Sequence, residues 1–145
     1  MIVGAICGRV ESVKGDELTE HPRLQSMLHV NNAHRQRVGL KPHAISEKLT
    51  KAAQDHANYM ARFGSMDHYS NAGPQGRASR WGFRRGVLEN IAVGQPTVES
   101  VFSTWRNSGG HWSNMTSNTT HAGFGAQQSE GGAWFWCCVY GNDDE

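Results

Sequence analysis

The sequence predicts an α+β fold, and three observations carry that prediction. Apolar residues recur at helical spacing through most of the chain, two runs that read as strands close it, the second strongly aromatic, and a glycine-containing turn separates those runs. Helices therefore come first and a hairpin last, the order expected of a sheet covered by helices. A length of 145 residues fits one domain with a modest core and leaves little room for a second.

Residues 1–20 carry Ile2, Val3, Ile6, Val10 and Val13 among glycines and charges. That pattern is closer to extended chain than to helix, so the expected organisation is an N-terminal extended arm over 1–20 and a domain over 21–145. Pro22 opens the first helix, predicted over about 23–38, with Leu24, Met27 and Leu28 on one stripe and "VGLKP" closing it. The second, starting near Ser46 and ending at Gly64, has an inner face of Leu49, Ala52, Ala53, His56, Ala57 and Met60. Between Ser65 and Gly94 the chain reads as irregular, with one short helix near Arg77–Trp81. Long irregular stretches in small domains usually carry function. A third helix follows Pro96, with Val98, Val101, Phe102 and Trp105 facing a core, and it ends before Gly109 and Gly110. "AGFGAQQ" and "AWFWCCVYG" then form two strands around the turn "SEGG".

A formal charge of +1 gives no global attraction to nucleic acid, and no nucleic-acid partner is expected. No apolar run approaches the roughly 18 residues of a membrane helix, so no transmembrane segment is expected either. "MIVGAICGRV" lacks the leading positive charge and the long apolar region of a secretory signal, so no signal peptide is recognisable. Cys7, Cys137 and Cys138 are an odd count without C-x-x-C spacing. The neighbouring pair should point to opposite faces of a strand as buried free thiols, with a bridge from Cys7 to one of them as the alternative.

G-x-S-x-G, G-x-x-x-x-G-K-[ST], H-E-x-x-H and G-x-G-x-x-G are all missing, which removes several common enzyme classes. Arg77, Arg80, Arg84 and Arg85 cluster around Trp81 and Phe83 and read as a solvated face rather than a phosphate site. His34, His43 and His56 read as helix-surface or satisfied core residues. Trp105, Trp134 and Trp136 read as core and sheet-face packing.

What remains is an ordered set of motifs: "NNAHRQRVGLKP", "MDHYS", "ENIAVG", "WRNSGGHWSNM" and "THAGFGA" before an aromatic terminal strand. Over about residues 24–141 this order resembles the CAP superfamily of cysteine-rich secretory, antigen-like and pathogenesis-related proteins, especially its bacterial branch. Asn32, Arg35, Gly39, Leu40 and Pro42 match the family's opening motif, Glu89 and Asn90 its Glu-Asn, and Gly110 and His111 its Gly-His. The resemblance implies a three-layer α-β-α sandwich and a shallow cleft lined by His68, His111 and Glu89, with the two histidines able to hold a divalent metal. Relatives often carry a second glutamate before the Gly-His, where this chain has Ser108 or its neighbours. His121 stands before "AGFG" where bacterial relatives often have an acid, so a third imidazole near the cleft is a further expectation.

Two neutral imidazoles suit Zn²⁺ or another divalent ion, loosely held because two protein ligands leave positions for water or substrate. Glu89 would then serve behind the ligands, accepting from an imidazole N–H or a bound water. The reading ranked first is a ligand-binding or surface and assembly module, extracellular or virion-associated. Its partners would be a lipid, glycan or peptide-like ligand in the cleft, and a protein assembly partner reached through residues 1–20. The alternative is a metal-assisted hydrolase of peptide, ester or cell-wall substrates, with Glu89, His68 and His111 catalytic.

Overall fold

The computed structural model describes residues 15–143. Along the chain it places α1 (Gly15–Thr19), α2 (Pro22–Arg37), β1 (Ala44–Ile45), α3 (Glu47–Phe63), α4 (Gly73–Arg80) and β2 (Val87–Val93). There follow α5 (Val98–Arg106), α6 (Gly109–Met115), β3 (His121–Gln128) and β4 (Trp134–Gly141). The sheet runs β1-β3-β4-β2; β1 is parallel to β3, and the other neighbours are antiparallel.

Two cores, one on each face of the sheet, make three layers. Leu24 and Met27 of α2, Val101, Phe102 and Trp105 of α5, and Met115 of α6 pack with Phe124, Trp136, Cys138 and Tyr140. On the other face Leu49, Ala53, Ala57 and Met60 of α3 and Ala78 of α4 pack with Ile91, Phe135, Cys137 and Val139. The period-two alternation of β4 puts Cys137 and Cys138 on opposite faces, and both are free and buried. Cys7 lies outside the described residues. The layers are those of an α-β-α sandwich.

The three long helices fall where apolar spacing predicts them. In α3 the inner face is fully buried; Ser46 caps it by accepting from Leu49 N, and Gly64 closes it at φ 63°. In α2 the buried stripe continues from Leu24 and Met27 into polar residues, Asn31 and Arg35. Arg35 Nη1 donates to Met115 O and Ser117 O, each at 2.8 Å, fastening α2 to the end of α6. Asn32 holds the backbone of His43 from both sides, donating to its carbonyl at 3.0 Å and accepting from its N–H at 2.9 Å.

Three expectations are corrected. Gly15–Thr19 is a helical turn rather than extended arm, with Leu18 packed against the α2/α5 core; residues 1–14 lie outside the described residues. The segment expected to be irregular ends in strand β2, and its short helix starts earlier, at Gly73. The third helix ends before Gly109 and Gly110 as expected, and those two glycines open a further helix, α6. Arg77 is not solvated: it is 1% exposed.

Candidate functional site

The site wraps around the free edge of the sheet. β2 is an edge strand, and its period-two alternation sends Glu89 to the α3/α4 face and Asn90 to the α5/α6 face, as their β4 partners Val139 and Cys138 do. Each face receives one histidine. His68 sits on the α3–α4 connection, and its Nδ1 lies 3.0 Å from Glu89 Oε1. His111 sits in the first turn of α6, where Asn90 Nδ2 donates to its carbonyl at 3.1 Å.

Asn114, one turn further along α6, joins the two halves. Its amide donates to Glu89 O at 3.2 Å and to Asn90 Oδ1 at 2.9 Å. An otherwise exposed strand edge is thereby covered. These contacts explain Asn90 and Asn114: they hold α6, and His111 with it, to β2. Partial burial, reinforced by the charge of His68, pushes the His111 ring below the ordinary imidazole range. A ring so displaced is unprotonated at neutral pH and keeps a lone pair for a ligand or a proton.

Glu89 is less accessible than the resemblance implies. Its side chain is 2% exposed, and both oxygens are engaged. Oε1 faces His68, while Oε2 accepts from Arg77 Nη2 at 2.7 Å and from the Cys137 thiol at 3.6 Å. Burial, helped by the Glu89 charge, pushes the Cys137 thiol far up, so it is a donor here and no nucleophile. Arg77 is the functional-site residue that sequence reasoning missed. Nothing in a glycine- and arginine-rich stretch separates a buried arginine from solvated ones until a buried carboxylate is known to face it.

On the second histidine, Ser108 Oγ lies 2.9 Å from His111 Nδ1. Ser108 is the N-cap of α6, yet its hydroxyl makes no bond to a backbone N–H there. It serves the imidazole instead. Both site rings therefore have Nδ1 occupied by a fixed oxygen, and among the described residues neither Nε2 has a hydrogen-bond partner.

His121 does not join them. It starts β3, separated from β2 by β4, and its ring bonds Thr120 Oγ1 at 2.8 Å. His43 and His56 are buried in the body of the domain, and His34 packs against Phe102 and Trp112. Arg80 pairs with Asp55, and Arg85 donates to Asp143 O, so the arginines around Trp81 are not a continuous free patch. Trp105 and Trp136 are core residues, and Trp134 lies half-buried under Arg23.

The loop that carries His68 is fixed in an uncommon shape. Asp67 accepts from the N–H groups of Tyr69 and Ser70 at 3.0 and 3.1 Å. Asn71 and Ala72 hold positive φ, at 53° and 72°, which is costly for residues with a Cβ. Tyr69 is 84% exposed on this ordered loop, with its ring edge-on to His68.

Compared with known proteins, residues 28–140 match the model of the cysteine-rich secretory protein family, CAP. The uncharacterised protein YkwD of Bacillus subtilis is 37% identical over 114 residues, 76% of this chain and 44% of that protein. The chain thus spans less than half the length of that relative. An extracellular protein containing an SCP domain from Bacillus anthracis superposes with a TM-score of 0.77 at 20% identity, over 91% of this chain and 45% of that one. An outer surface protein of Borrelia burgdorferi superposes with a TM-score of 0.75 at 17% identity, over 81% of this chain and 90% of that one. At these identities the structural likenesses establish the fold alone.

Proposed function

Since the chain belongs to the CAP family of cysteine-rich secretory proteins, we propose that it is an extracellular binding module whose ligand enters the His68–Glu89–His111 cleft together with an exchangeable divalent metal. The observation that carries this reading is the pairing of both rings at Nδ1, with Glu89 and with Ser108. A ring that donates from Nδ1 keeps its Nε2 lone pair, the usual arrangement behind a metal-binding histidine.

The donor set decides how firmly an ion is held. Resident zinc takes three or four protein ligands, and among the described residues no group of three or more His, Cys, Asp or Glu is placed to hold a metal. Glu89 cannot complete such a set without giving up Arg77 or His68. Two imidazoles fit an ion that fills its remaining positions with water or with the ligand, and when bound it would attract a ligand oxygen as a Lewis acid. His68 and His111 would hold it and Glu89 and Ser108 would orient them.

An extracellular setting is supported by the names of the similar structures, one extracellular and one an outer surface protein. Among the described residues no helix is long and apolar enough to cross a membrane. The ligand class is lipid, glycan or peptide-like. Service as a surface or assembly component, a virus particle included, is the same module used structurally. Hydrolysis is the second reading, and one observation favours it: the His111 ring, pushed below the ordinary imidazole range by partial burial, lies 2.9 Å from the Ser108 hydroxyl. Its base would be His111 rather than Glu89, whose oxygens are both taken.

Zinc titration calorimetry on the wild type, His68→Ala and His111→Ala tests the proposal. Measurable affinity in the wild type and a sharp loss in both variants are expected; equal affinity in all three removes the metal. Turnover of ester, peptide or cell-wall substrates that disappears in His111→Ala would put the hydrolase first. Co-purification in a large particle without zinc binding would put assembly first.

A further inference from the structure

We propose that the module carries a second binding site outside the cleft: an anion subsite for a single phosphate group, formed by Arg37 at the end of α2 and Arg106 at the end of α5, around His34 and Trp112. It uses none of the groups that make up the cleft and does not depend on the metal reading.

A chain of rings leads from the core to this surface. Phe102 of α5 is fully buried, and the His34 ring stacks on it with centroids 6.4 Å apart and planes 20° from parallel. Trp112 of α6 meets His34 edge-on at 6.3 Å. The guanidinium of Arg106 then lies over the Trp112 ring, its carbon 4.1 Å from the centroid. Arg37 follows His34 by three residues on α2 and so shares its face of the helix. Both arginine charges reach the His34 ring: partial burial first, then Arg37 and Arg106, push it below the ordinary imidazole range.

These two guanidinium groups have no anion of the protein's own. Both residues are exposed, and among the described residues neither forms an ion pair or a side-chain hydrogen bond, in contrast to Arg35, Arg77, Arg80 and Arg85. Cations in the last turn suit the helix dipole, which accounts for a charge at each helix end but not for the ring stack that fixes Arg106. Stacking occupies the face of a guanidinium and leaves its N–H edge free to donate. One such fork satisfies a carboxylate. A phosphate monoester carries three acceptor oxygens and nearly two negative charges at neutral pH, which matches two forks and two positive charges. Two charges suit one phosphate rather than the run of phosphates along a nucleic acid.

The test is an NMR titration of the full chain with inorganic phosphate near pH 7, at ionic strength held constant with chloride, reading the arginine Nε–H and Trp112 indole signals. We expect saturable shifts at Arg37, Arg106 and Trp112, and affinity weaker by about tenfold in each of Arg37→Gln and Arg106→Gln, the scale of losing a charge-assisted hydrogen bond. Sedimentation with phosphatidylglycerol vesicles, against phosphatidylcholine alone, then identifies the carrier of the phosphate. Retention that both variants lose makes it a lipid headgroup; phosphate binding without retention makes it a soluble phosphorylated ligand. Shifts that do not saturate, or equal phosphate affinity in the wild type and both variants, overturn the proposal. Vesicle adsorption without saturable phosphate binding overturns it too, since diffuse surface charge would suffice for that. The cleft is judged separately by its zinc titration, so either reading can fail alone.

Discussion

Ser108 Oγ and His111 Nδ1 stand 2.9 Å apart at the start of α6, three residues apart on one helical turn. Serine at an N-cap ordinarily accepts from the N3 amide, and His111 is that N3 residue. Here the hydroxyl has been diverted from the backbone to the ring of the same residue. It stands in the stretch before the Gly-His where the family resemblance places a second glutamate, without the acid's charge.

A neutral hydroxyl orients an imidazole less firmly than a carboxylate, since charge-assisted hydrogen bonds are roughly twice as strong. Ser108→Ala should therefore weaken zinc binding by about tenfold, the lower end of the range for orienting partners, and Ser108→Glu should strengthen it. Calorimetric titration of the three proteins checks this. Identical affinities would mean that Ser108 does not act through His111.

The close approach of sheet and helix gives a second expected outcome. A Cβ on Gly123 would overlap the backbone of Leu49 and Thr50, and one on Gly125 the backbone of Ala53 and Gln54. These two glycines in β3 let α3 lie directly on the sheet. Gly123→Ala should lower unfolding free energy by about 3 kcal/mol or more, because helix backbone rather than a flexible side chain must move. Gly110→Ala, where a Cβ meets open space within a helix, should be neutral or slightly stabilising. Urea denaturation of both variants distinguishes them, and a mild effect at Gly123 would refute the close contact.

Those glycines also show what can be read in a sequence. "AGFGA" is legible as a strand, and its alternation is legible, but the requirement for glycine appears only when α3 is laid across it. The helices α2, α3 and α5 are recoverable because their buried positions repeat at the helical period. β2 is not, since Glu89 and Asn90 occupy inward positions that apolar residues would fill in an ordinary strand. α6 is hidden by the two glycines that open it. His68 and His111 emerge from motif order, and no periodicity distinguishes them from the other histidines. Arg77, which pairs with Glu89, has no signature apart from the fold that brings it there, and Ser108, beside His111, is marked only by its place before the Gly-His motif.

Acid stability depends on a histidine away from the cleft. His43 is 3% exposed. Asn31 Nδ2 lies 3.0 Å from its Nδ1, and its Nε2 lies 2.9 Å from Thr119 Oγ1. Asn31 can only donate from that nitrogen, so Nδ1 is the acceptor and Nε2–H is the donor to Thr119. Tyr140 OH holds Asn31 in turn, donating to its Oδ1 at 2.9 Å. A proton on Nδ1 would face the Asn31 amide hydrogens, in a place already near Arg35 and His121. Burial first and the Arg35 charge second push this ring down to about 3. Because the folded value lies below the unfolded one, near 6.5, the unfolded chain binds the extra proton between them. The contribution of His43 to stability is thus complete above about pH 6.5 and falls as pH drops toward about 3, by up to about 1.4 kcal/mol per pH unit. His56 and His111, whose rings are also lowered, add in the same direction, so the informative quantity is the difference from His43→Gln. Urea midpoints at pH 7, 5.5 and 4.5 should fall more steeply for the wild type than for that variant. Parallel curves would show that His43 is protonated in the folded protein at little cost.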